Sequence, residues 1–311
     1  MDKILVTGGA GYLGSVLVGH LLHQGYGVTV LDHLLYGQAS LLHYCTHPHF
    51  AFVRGDVRDE RLIQELLKDH DTIVPLAAIV GATACDHDPL LARTVNFDAI
   101  VSLNRLRSSQ QRIIFPCTNS GYGTKSGEVY CTEDTPLEPI SVYGTTKVNA
   151  EREMLNSANT ITLRFATVFG PSPRMRLDLL VNDFVYRGMT DRCLVVYEKH
   201  FKRNYIHIED VAECFCFCLE HFEELKGEPY NVGLEEANLS KEELAFKIKE
   251  HIPSLYIHFA EIGSDPDRRN YIVSNDKIRR KGFMACHSID EGIAQLLKAY
   301  RMLPTGNFRN A

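Results

Sequence analysis

The stretch Thr7-Gly8-Gly9-Ala10-Gly11-Tyr12-Leu13-Gly14 decides the fold of this chain. A short apolar segment, residues 3–6, precedes it and is typical of a strand, and residues 12–24 follow it with apolar side chains at helical spacing. Spaced glycines also occur by chance in glycine-rich loops, but the order strand, glycine turn and helix is the one that a dinucleotide-binding unit needs. We therefore predict that the chain opens with such a unit.

The three spaced glycines have distinct mechanical roles in this prediction. Gly8 lets the chain turn sharply, Gly11 lets the main chain approach a pyrophosphate, and Gly14 lets the helix pack closely against the strand. The helix begins with Tyr12 and Leu13. Its N-terminus presents unpaired N–H groups and a positive dipole end to the phosphates.

The second predicted strand, residues 28–31, ends at Asp32, which lies 18 residues after Gly14. A carboxylate at this place can accept hydrogen bonds from the ribose hydroxyls of a dinucleotide. Residues 33–37 contain no Arg or Lys to balance a ribose phosphate, so the sequence favours NAD over NADP. The alternative is that Asp32 only caps the turn that follows.

Apolar strand candidates continue along the chain, with helical stretches between them. The strand candidates are residues 50–53, 72–74, 112–115 and 160–164, and the helical stretches are residues 60–68 and 90–106. Alternation of this kind predicts an α/β fold with a doubly wound parallel sheet of the Rossmann type. We expect residues 1–170 to form an NAD-binding domain. Residues 171–311 should form a smaller α/β domain that binds the substrate and is partly interleaved with the first.

Loops that follow the carboxyl ends of parallel strands line the ligand crevice of such a sheet. By position, Asp56 and Val57 would flank the adenine. Leu76, Ala77 and Ala78 would run beside the phosphates and ribose of the cofactor. The alternative for the two alanines is that they are small residues required by tight packing.

The composition is that of an intracellular enzyme. The 311 residues are 45% hydrophobic and carry a net charge of −6, which argues against general nucleic-acid binding. No apolar run approaches the roughly 18–20 residues that span a bilayer, and the first strand begins too near Met1 for a signal peptide. We therefore expect a cytoplasmic protein without a membrane partner.

The nine cysteines, an odd number without framework spacing, fit reduced thiols better than a disulfide scaffold. Three of them, Cys214, Cys216 and Cys218, look like a metal-binding tract. On the helix predicted for residues 210–223, however, Cys216 points away from the face that the other two share. We expect a packed core stripe there and no metal site.

A second motif, Tyr143-Gly-Thr-Thr-Lys147, indicates proton transfer coupled to hydride transfer. Tyr143 and Lys147 are four residues apart on a predicted helix and hence share a face. The ammonium group, with the positive charge of a nicotinamide, favours the phenolate and lowers a pKa that starts at about 10. Such a phenol can take the hydroxyl proton of an alcohol while hydride leaves the carbon that bears this hydroxyl. Without the upstream glycines the two residues could be an ordinary amphipathic pair.

With Cys117-Thr118-Asn119-Ser120-Gly121-Tyr122-Gly123 after the fifth strand, these motifs resemble the extended short-chain dehydrogenase/reductase family, whose members act on nucleotide sugars. The resemblance runs from Lys3 to about Tyr300. It implies that Thr118 hydrogen-bonds the reacting oxygen and completes a catalytic trio with Tyr143 and Lys147. It also implies a homodimer formed through helices equivalent to residues 90–106 and 143–156.

The two residues after Thr118 narrow the reaction that the resemblance allows. The family's 4,6-dehydratases and uronic-acid decarboxylases usually carry an acidic residue here, whereas this chain has Asn119 and Ser120, which would lie beside the substrate. An amide and a hydroxyl are poor proton donors at neutral pH, so loss of water from carbon 6 is disfavoured. Ser120 also stands where the family's GDP-mannose 3,5-epimerases carry a cysteine. Oxidation, reduction or epimerisation at carbon 4 remains.

The second half of the chain should hold the nucleotide sugar. Residues 164–171 resemble the family's R-x-x-N-V-Y-G-P, but Thr167 replaces the asparagine that commonly binds a phosphate. Asn182, on a helix that we expect to begin near Met175, is a candidate for that contact.

Arginines are the candidates for diphosphate binding, because the planar guanidinium pairs bidentately with phosphate oxygens. Arg203 lies in a stretch that resembles the family's R-D-Y-I-H-V-x-D, in which the arginine clamps the diphosphate. A second clamp would come from Arg268 or Arg269, and Arg174 and Arg176 add positive charge nearby. The alternative is that some of these arginines are solvated surface residues.

The narrowest likeness is to enzymes that oxidise carbon 4 of GDP-D-glycero-D-manno-heptose in bacterial capsule synthesis. It rests on residues 118–123, 172–184, 203–207 and 271–275. It implies a GDP-linked substrate, a 4-keto product and NADH that a second substrate must reoxidise. A 4-epimerase needs the same trio and stays open. A non-catalytic NAD-binding protein also stays open, although relatives of that kind generally lose the tyrosine or lysine.

Overall fold

A computed structural model describes residues 1–125, 130–261 and 269–303. The strands of this described part, in chain order, are β1 Lys3–Thr7, β2 Gly27–Asp32, β3 Phe50–Arg54, β4 Thr72–Pro75, β5 Arg112–Thr118, β6 Tyr130–Cys131, β7 Thr160–Phe165, β8 Thr167–Phe169, β9 Cys193–Tyr197, β10 Lys202–His207, β11 Pro229–Val232, β12 Asn238–Ser240, β13 Tyr256–Ala260 and β14 Ile272–Val273.

Helices connect most of these strands. The α-helices are α1 Tyr12–His23, α2 Glu60–Leu67, α3 Ala82–His87, α4 Pro89–Arg93, α5 Ala99–Leu106, α6 Val142–Leu155, α7 Leu180–Thr190, α8 Ile208–Glu220, α9 Phe222–Leu225, α10 Lys241–His251, α11 Asp276–Arg280 and α12 Ile289–Tyr300. No helix in the described ranges is both long and apolar enough to cross a membrane.

A seven-stranded sheet in the order β11-β7-β5-β4-β1-β2-β3 forms the centre of the fold, and its paired strands all run parallel. The strand order reverses between β1 and β4, which opens a crevice at their carboxyl ends. The predicted doubly wound sheet is therefore confirmed. Its edge strand β11 comes from the second half of the chain, and the remaining strands form small sheets, β12-β10-β8, β13-β9 and β14-β6.

The strands of the central sheet are buried on both faces. Ile4 and Val6 belong to a large core that includes residues of α1, α7, α8, α10 and α12. Leu5, between them, points to the other face and packs with residues of α2, α5 and α6. Alternating apolar residues on a strand thus supply two cores, one on each side of the sheet.

Two predicted helices differ from the observed ones. Residues 90–106 do not form one regular helix, because a π-helical turn, Thr94–Asp98, separates α4 from α5. The helix expected near Met175 begins only at Leu180. The three cysteines of α8 are buried and have no disulfide, as the packed core stripe predicts.

A buried ion pair fastens α6 to the central sheet. The Arg164 Nε on β7 lies 3.0 Å from the Glu151 Oε2 on α6, and both side chains are almost fully buried. Thr162 donates a further hydrogen bond of 3.0 Å to Glu151, and the other arm of Arg164 donates to the Tyr122 hydroxyl at 3.1 Å. Since α6 carries Tyr143 and Lys147, this network sets the position of the helix over β5 and β7.

We expect Glu151→Ala to lower the free energy of unfolding by about 3–5 kcal/mol, because it leaves the Arg164 cation buried without its carboxylate. Denaturant unfolding followed by circular dichroism measures the change. The exposed Glu250→Ala on α10 is the matched control and should change stability by less than about 0.5 kcal/mol. Equal effects of the two variants would show that the pair does not anchor α6.

Candidate active site

The glycine loop between β1 and α1 is shaped by close main-chain contacts. Gly8 has φ +71°, and a Cβ there would lie 2.6 Å from the main chain of Ala77. A Cβ on Gly14 would lie 2.6 Å from the Gly8 carbonyl oxygen. Helix α1 begins after Gly11, and no side chain caps its first N–H groups. The loop therefore presents main-chain donors at a helix N-terminus, as phosphate binding requires.

Asp32 ends β2 at the rim of the same crevice and is almost fully buried. Its carboxylate accepts hydrogen bonds from the main-chain N–H groups of Ala10 at 2.9 Å and Leu34 at 2.7 Å. Burial raises the pKa of Asp32, and these two hydrogen bonds oppose the rise. The carboxylate thus joins the β2 loop to the glycine loop and also caps the turn at Leu34. Its predicted contact with the cofactor ribose stays a prediction.

The loops after β3 and β4 contain the residues that are predicted to line the crevice. Asp56 forms an ion pair with Arg58, 2.6 Å between Oδ2 and Nη2, which lowers the pKa of the Asp56 carboxyl. Val57 packs against the core on the α2 face. The main chain of Leu76 and Ala77 binds Thr7, which holds residues 76–78 beside the glycine loop. The main chain of Ala77 thus occupies the space that a side chain at residue 8 would need.

Asn96 in the π-helical turn ties two parts of the site together. Its amide accepts from the Ile79 N–H at 2.8 Å and donates to the Ile79 carbonyl at 2.9 Å. It also reaches the Thr146 hydroxyl on α6 at 3.4 Å. The loop after β4 is thus held against the helix that carries Tyr143.

The residues after β5 pack directly on α6. The Cys117 thiol contacts the Lys147 carbonyl oxygen at 3.7 Å, and a Cβ on Gly121 would lie 2.8 Å from Val148. The Thr118 hydroxyl donates to Ser120 Oγ at 2.9 Å and accepts from the Ser120 N–H at 3.1 Å. These contacts bring the β5 end carrying Thr118 and Ser120 against the helix that carries the Tyr–Lys pair.

Asn119, between these two residues, has neither a donor nor an acceptor for its amide among the described residues, although it is fully buried. An unpaired buried amide is costly. This energetic cost of burial falls at the position where the dehydratases of the resembled family usually carry an acidic residue.

The electrostatics of Tyr143 and Lys147 are dominated by burial. Burial raises the pKa of the Tyr143 phenol to about 12, with Arg176 and Arg269 opposing the rise. Burial lowers the pKa of the Lys147 ammonium to about 8. The expected lowering of the Tyr143 pKa is therefore not met by the protein alone, because desolvation outweighs the nearby cations.

Lys147 is 4% exposed, and its ammonium group has no hydrogen bond or ion pair within the described part of the chain. Its Nζ lies over the ring of Phe115, 4.2 Å from the ring centroid. A buried cation in this state is suited to polar groups that arrive with a ligand.

Residues 170–182 cross from β8 to α7 over the start of α1. Asn182, fully buried, accepts from the Gly170 N–H at 3.1 Å and donates to the Arg176 carbonyl at 2.9 Å and the Tyr12 hydroxyl at 3.3 Å. Its amide therefore holds this segment in place, which is a positioning role that the sequence analysis did not foresee. Arg176 is paired with Asp178, 2.5 Å between nitrogen and oxygen.

The remaining predicted arginines differ in position. Arg203 lies on β10, almost fully buried, with its guanidinium 5.7 Å from the ring centroid of Tyr271. Arg269 donates a hydrogen bond to Ser120 Oγ, so it reaches the turn after β5 that contains Asn119 and Ser120. Arg268 lies outside the described residues. Arg174 lies against Tyr36, in the loop after β2.

The glycine loop, the buried ammonium group and the parallel strand order agree with a known group of enzymes. The profile of the NAD dependent epimerase/dehydratase family matches residues 4–233. The chain belongs to this family. The predicted cofactor, NAD, and an enzymatic function are confirmed by this membership.

Individual relatives resemble the chain over nearly its full length. The low-salt glycan biosynthesis protein Agl12 of Haloferax volcanii is 30% identical over 308 residues, 96% of this chain and 98% of the relative. The UDP-glucose 4-epimerase of Lactobacillus helveticus is 28% identical over 333 residues, 98% of each chain. Among solved structures, UDP-glucuronic acid 4-epimerase from Bacillus cereus, in complex with UDP-glucuronic acid and NAD, has a TM-score of 0.86 at 25% identity. The match covers 96% of this chain and 99% of that chain.

Three residues that support the candidate site were not predicted from the sequence: Glu151, Asn96 and Tyr36. Glu151 is four residues after Lys147 on the same helix face, and this spacing could have revealed it. Asn96 interrupts an apolar helix pattern, which is a weak signal. Tyr36 had none, because its partner Arg174 is distant in sequence.

The residues present fit a bound dinucleotide. A Cβ at either Gly8 or Gly14 would collide with the loop main chain, the N-terminus of α1 is uncapped, and the Lys147 ammonium lacks a partner among the described residues. The glycine loop, Asp32 and Lys147 are the candidates to hold NAD.

We expect Lys147→Met to stabilise the cofactor-free protein at pH 7 by on the order of 1–3 kcal/mol, because it removes a buried, unpaired cation. With the pKa of Lys147 near 8 in the folded chain and about 10.4 unfolded, the unfolded state binds more protons between these values. The stability of the native protein therefore rises across this interval, and the advantage of the variant shrinks. Thermal unfolding from pH 7 to pH 10 measures the difference, with the exposed Lys249→Met as the control. An advantage that stays constant with pH would contradict the assignment.

Proposed function

We propose that this protein oxidises carbon 4 of a nucleotide-activated sugar with NAD. The observation that carries the proposal is the packing of the β5 end, with Thr118, onto the α6 turn that holds Tyr143 and Lys147. Two relatives support carbon 4 as the reacting position, since both are named 4-epimerases of nucleotide sugars.

In this proposal the residues of the chain transfer one proton. NAD, when bound, supplies the acceptor for the hydride from carbon 4. Tyr143, as the phenolate, takes the proton of the 4-hydroxyl and becomes the neutral phenol as the C–H electron pair leaves and the carbonyl forms. Because the phenol has a pKa of about 12 in the protein alone, the added positive charge of the cofactor is needed before it can act as a base. Thr118 hydrogen-bonds the reacting oxygen.

The residues after Thr118 support redox chemistry without loss of water. Asn119 and Ser120 offer an amide and a hydroxyl, and neither is an efficient acid at neutral pH. The charged groups that act most strongly on Tyr143 are the guanidinium groups of Arg176 and Arg269, not a carboxylate. A 4-keto sugar formed here would therefore be released or reduced again.

The fate of the 4-keto sugar distinguishes two candidate functions. Release gives a 4-dehydrogenase, and we propose GDP-D-glycero-D-manno-heptose as its substrate on the likeness of the four sequence stretches alone. Return of hydride to the other face gives a 4-epimerase, which the names of the two relatives favour.

The experiment is an incubation of the purified protein with UDP-, GDP-, dTDP- and CDP-sugars, including GDP-heptose. Products are identified by mass and NMR, and NADH is followed at 340 nm, about the wavelength of its absorbance maximum. Accumulating NADH with a 4-keto product supports the dehydrogenase, and a 4-epimer without net NADH supports the epimerase. Products that have lost water would overturn the proposal.

We expect Tyr143→Phe to lower kcat by about 10²–10⁴-fold, because the general base is lost, while NAD still binds. Turnover of the preferred sugar nucleotide and NAD titration measure the two effects. Tyr256→Phe, an exposed tyrosine on β13, is the matched control and should keep full activity. Undiminished turnover of the Tyr143 variant would remove the phenol from the mechanism.

We also propose that the protein is a homodimer through α4, α5 and α6. Leu90 and Ile140, 71% and 53% exposed, flank this surface, beside a groove of about 620 Å³ that includes Phe97 and Val142. Light scattering should give twice the chain mass of 35.1 kDa, and the double variant Leu90→Glu/Ile140→Glu should give the single mass. A native mass of one chain, or a dimer in the variant, would contradict the proposal.

A further inference from the structure

Arg174 is a buried cation without a counter-ion. It is 8% exposed, and among the described residues it forms no ion pair. Its guanidinium makes one weak hydrogen bond, 3.4 Å to the neighbouring Met175 carbonyl oxygen. Arg176, two residues on, is by contrast neutralised by Asp178 at 2.5 Å. A guanidinium withdrawn from water without a carboxylate is costly, which indicates that the missing charge arrives with a ligand.

The main chain before Arg174 is fastened to the start of α1. The Ser172 hydroxyl donates to the Tyr12 carbonyl at 2.7 Å and lies 3.0 Å from Ser15 Oγ. The same hydroxyl accepts from the Arg174 N–H at 3.3 Å, and the Tyr12 hydroxyl donates to the Gly170 carbonyl at 2.7 Å. Arg174 thus lies two residues after Ser172, the serine that is bonded to Tyr12, the first residue of α1.

The side chain of Arg174 stacks on Tyr36, with its central carbon 4.3 Å from the ring centroid. Tyr36 belongs to the loop after Asp32, and Gln38 in that loop binds both the Tyr36 N–H, at 3.1 Å, and the Asp32 carboxylate, at 3.4 Å. A stacked guanidinium keeps its N–H donors in its own plane, where they are available to phosphate oxygens. The guanidinium therefore lies between the Asp32 loop and the start of α1.

We propose that Arg174, supported by the ring of Tyr36, binds the pyrophosphate of the dinucleotide cofactor. Two diphosphates could supply the anion, that of NAD and that of the sugar nucleotide. The position beside the α1 N-terminus and the Asp32 loop favours NAD, so Arg174 is a cofactor ligand and not the substrate ligand that the sequence suggests. A phosphate on the adenosine ribose fits less well, because it would face the Asp32 carboxylate.

This assignment has a kinetic consequence. Arg174 comes from the segment between β8 and α7, whereas the glycine loop and Tyr36 come from the first 40 residues. The cofactor would be held from both parts of the chain, and it could leave only when the Arg174 contact breaks. Slow release suits the 4-epimerase form of the proposed function, on which this consequence rests, because an epimerase reuses its NAD within one turnover.

The test is NAD affinity, measured by calorimetry on protein stripped of cofactor. We expect Arg174→Gln to raise the Kd for NAD and for ADP-ribose, which carries the same pyrophosphate, by about 10- to 100-fold. The Kd for UDP or GDP, the nucleotide parts of the candidate substrates, should stay within about twofold of native at saturating NAD. Tyr36→Leu should raise the Kd for NAD about threefold. The control is Arg280→Gln, which removes the same charge at an exposed position on α11.

Stability separates a ligand role from a structural one. Arg174→Met should leave the melting temperature of the cofactor-free protein unchanged or higher, and should reduce the rise in melting temperature that NAD produces. A variant that melts lower without NAD and keeps the full NAD-induced rise would overturn the proposal. So would a Kd for NAD within twofold of native, or an effect confined to UDP or GDP, which would return Arg174 to the substrate. None of these measurements needs turnover, so they stand even if the proposed reaction is wrong.

Discussion

The main-chain contact between Gly8 and Ala77 is the constraint on which the site depends. It is close enough that any side chain at residue 8 would displace the loop after β4. Because β1 and β4 are neighbours at the point where the strand order reverses, this contact sets the width of the crevice at their carboxyl ends. The Asp32 carboxylate, at the end of β2, holds the neighbouring loop against this crevice by accepting a hydrogen bond from the Ala10 N–H. The shape of the cofactor site is thus determined by main chain, and side chains add charge to it.

Local patterns in the sequence were sufficient for the sheet and the glycine loop. Short apolar runs separated by helical spacing identify parallel strands, because both faces of such a sheet are buried. Helical spacing placed Tyr143 and Lys147 on one face of a helix, and the family resemblance added Thr118. Their protonation could not be read in this way, since the raised pKa of Tyr143 comes from desolvation by residues far apart in sequence.

Tertiary contacts account for what the sequence did not reveal. The sequence predicts a helix that begins near Met175, but Asn182 binds the Arg176 carbonyl and Ser172 binds the Tyr12 carbonyl, which holds the segment in a non-helical conformation, so α7 begins at Leu180. Arg174 is predicted to add positive charge near the substrate diphosphate, and its contact with Tyr36 in the loop after β2 could not be read from the sequence. The chain as a whole is acidic, yet its crevice contains buried cations. Such a site is incomplete as protein alone, and anionic ligands complete it.

The π-helical turn at Thr94–Asp98 limits how this region can change during evolution. It contains one residue more per turn than a regular helix, and this extra residue is what directs Asn96 towards both Ile79 and Thr146. Removing or adding one residue between α4 and α5 would rotate that amide by about 100° around the helix axis. Homologous chains that keep the bridge should therefore differ here by substitution and not by length.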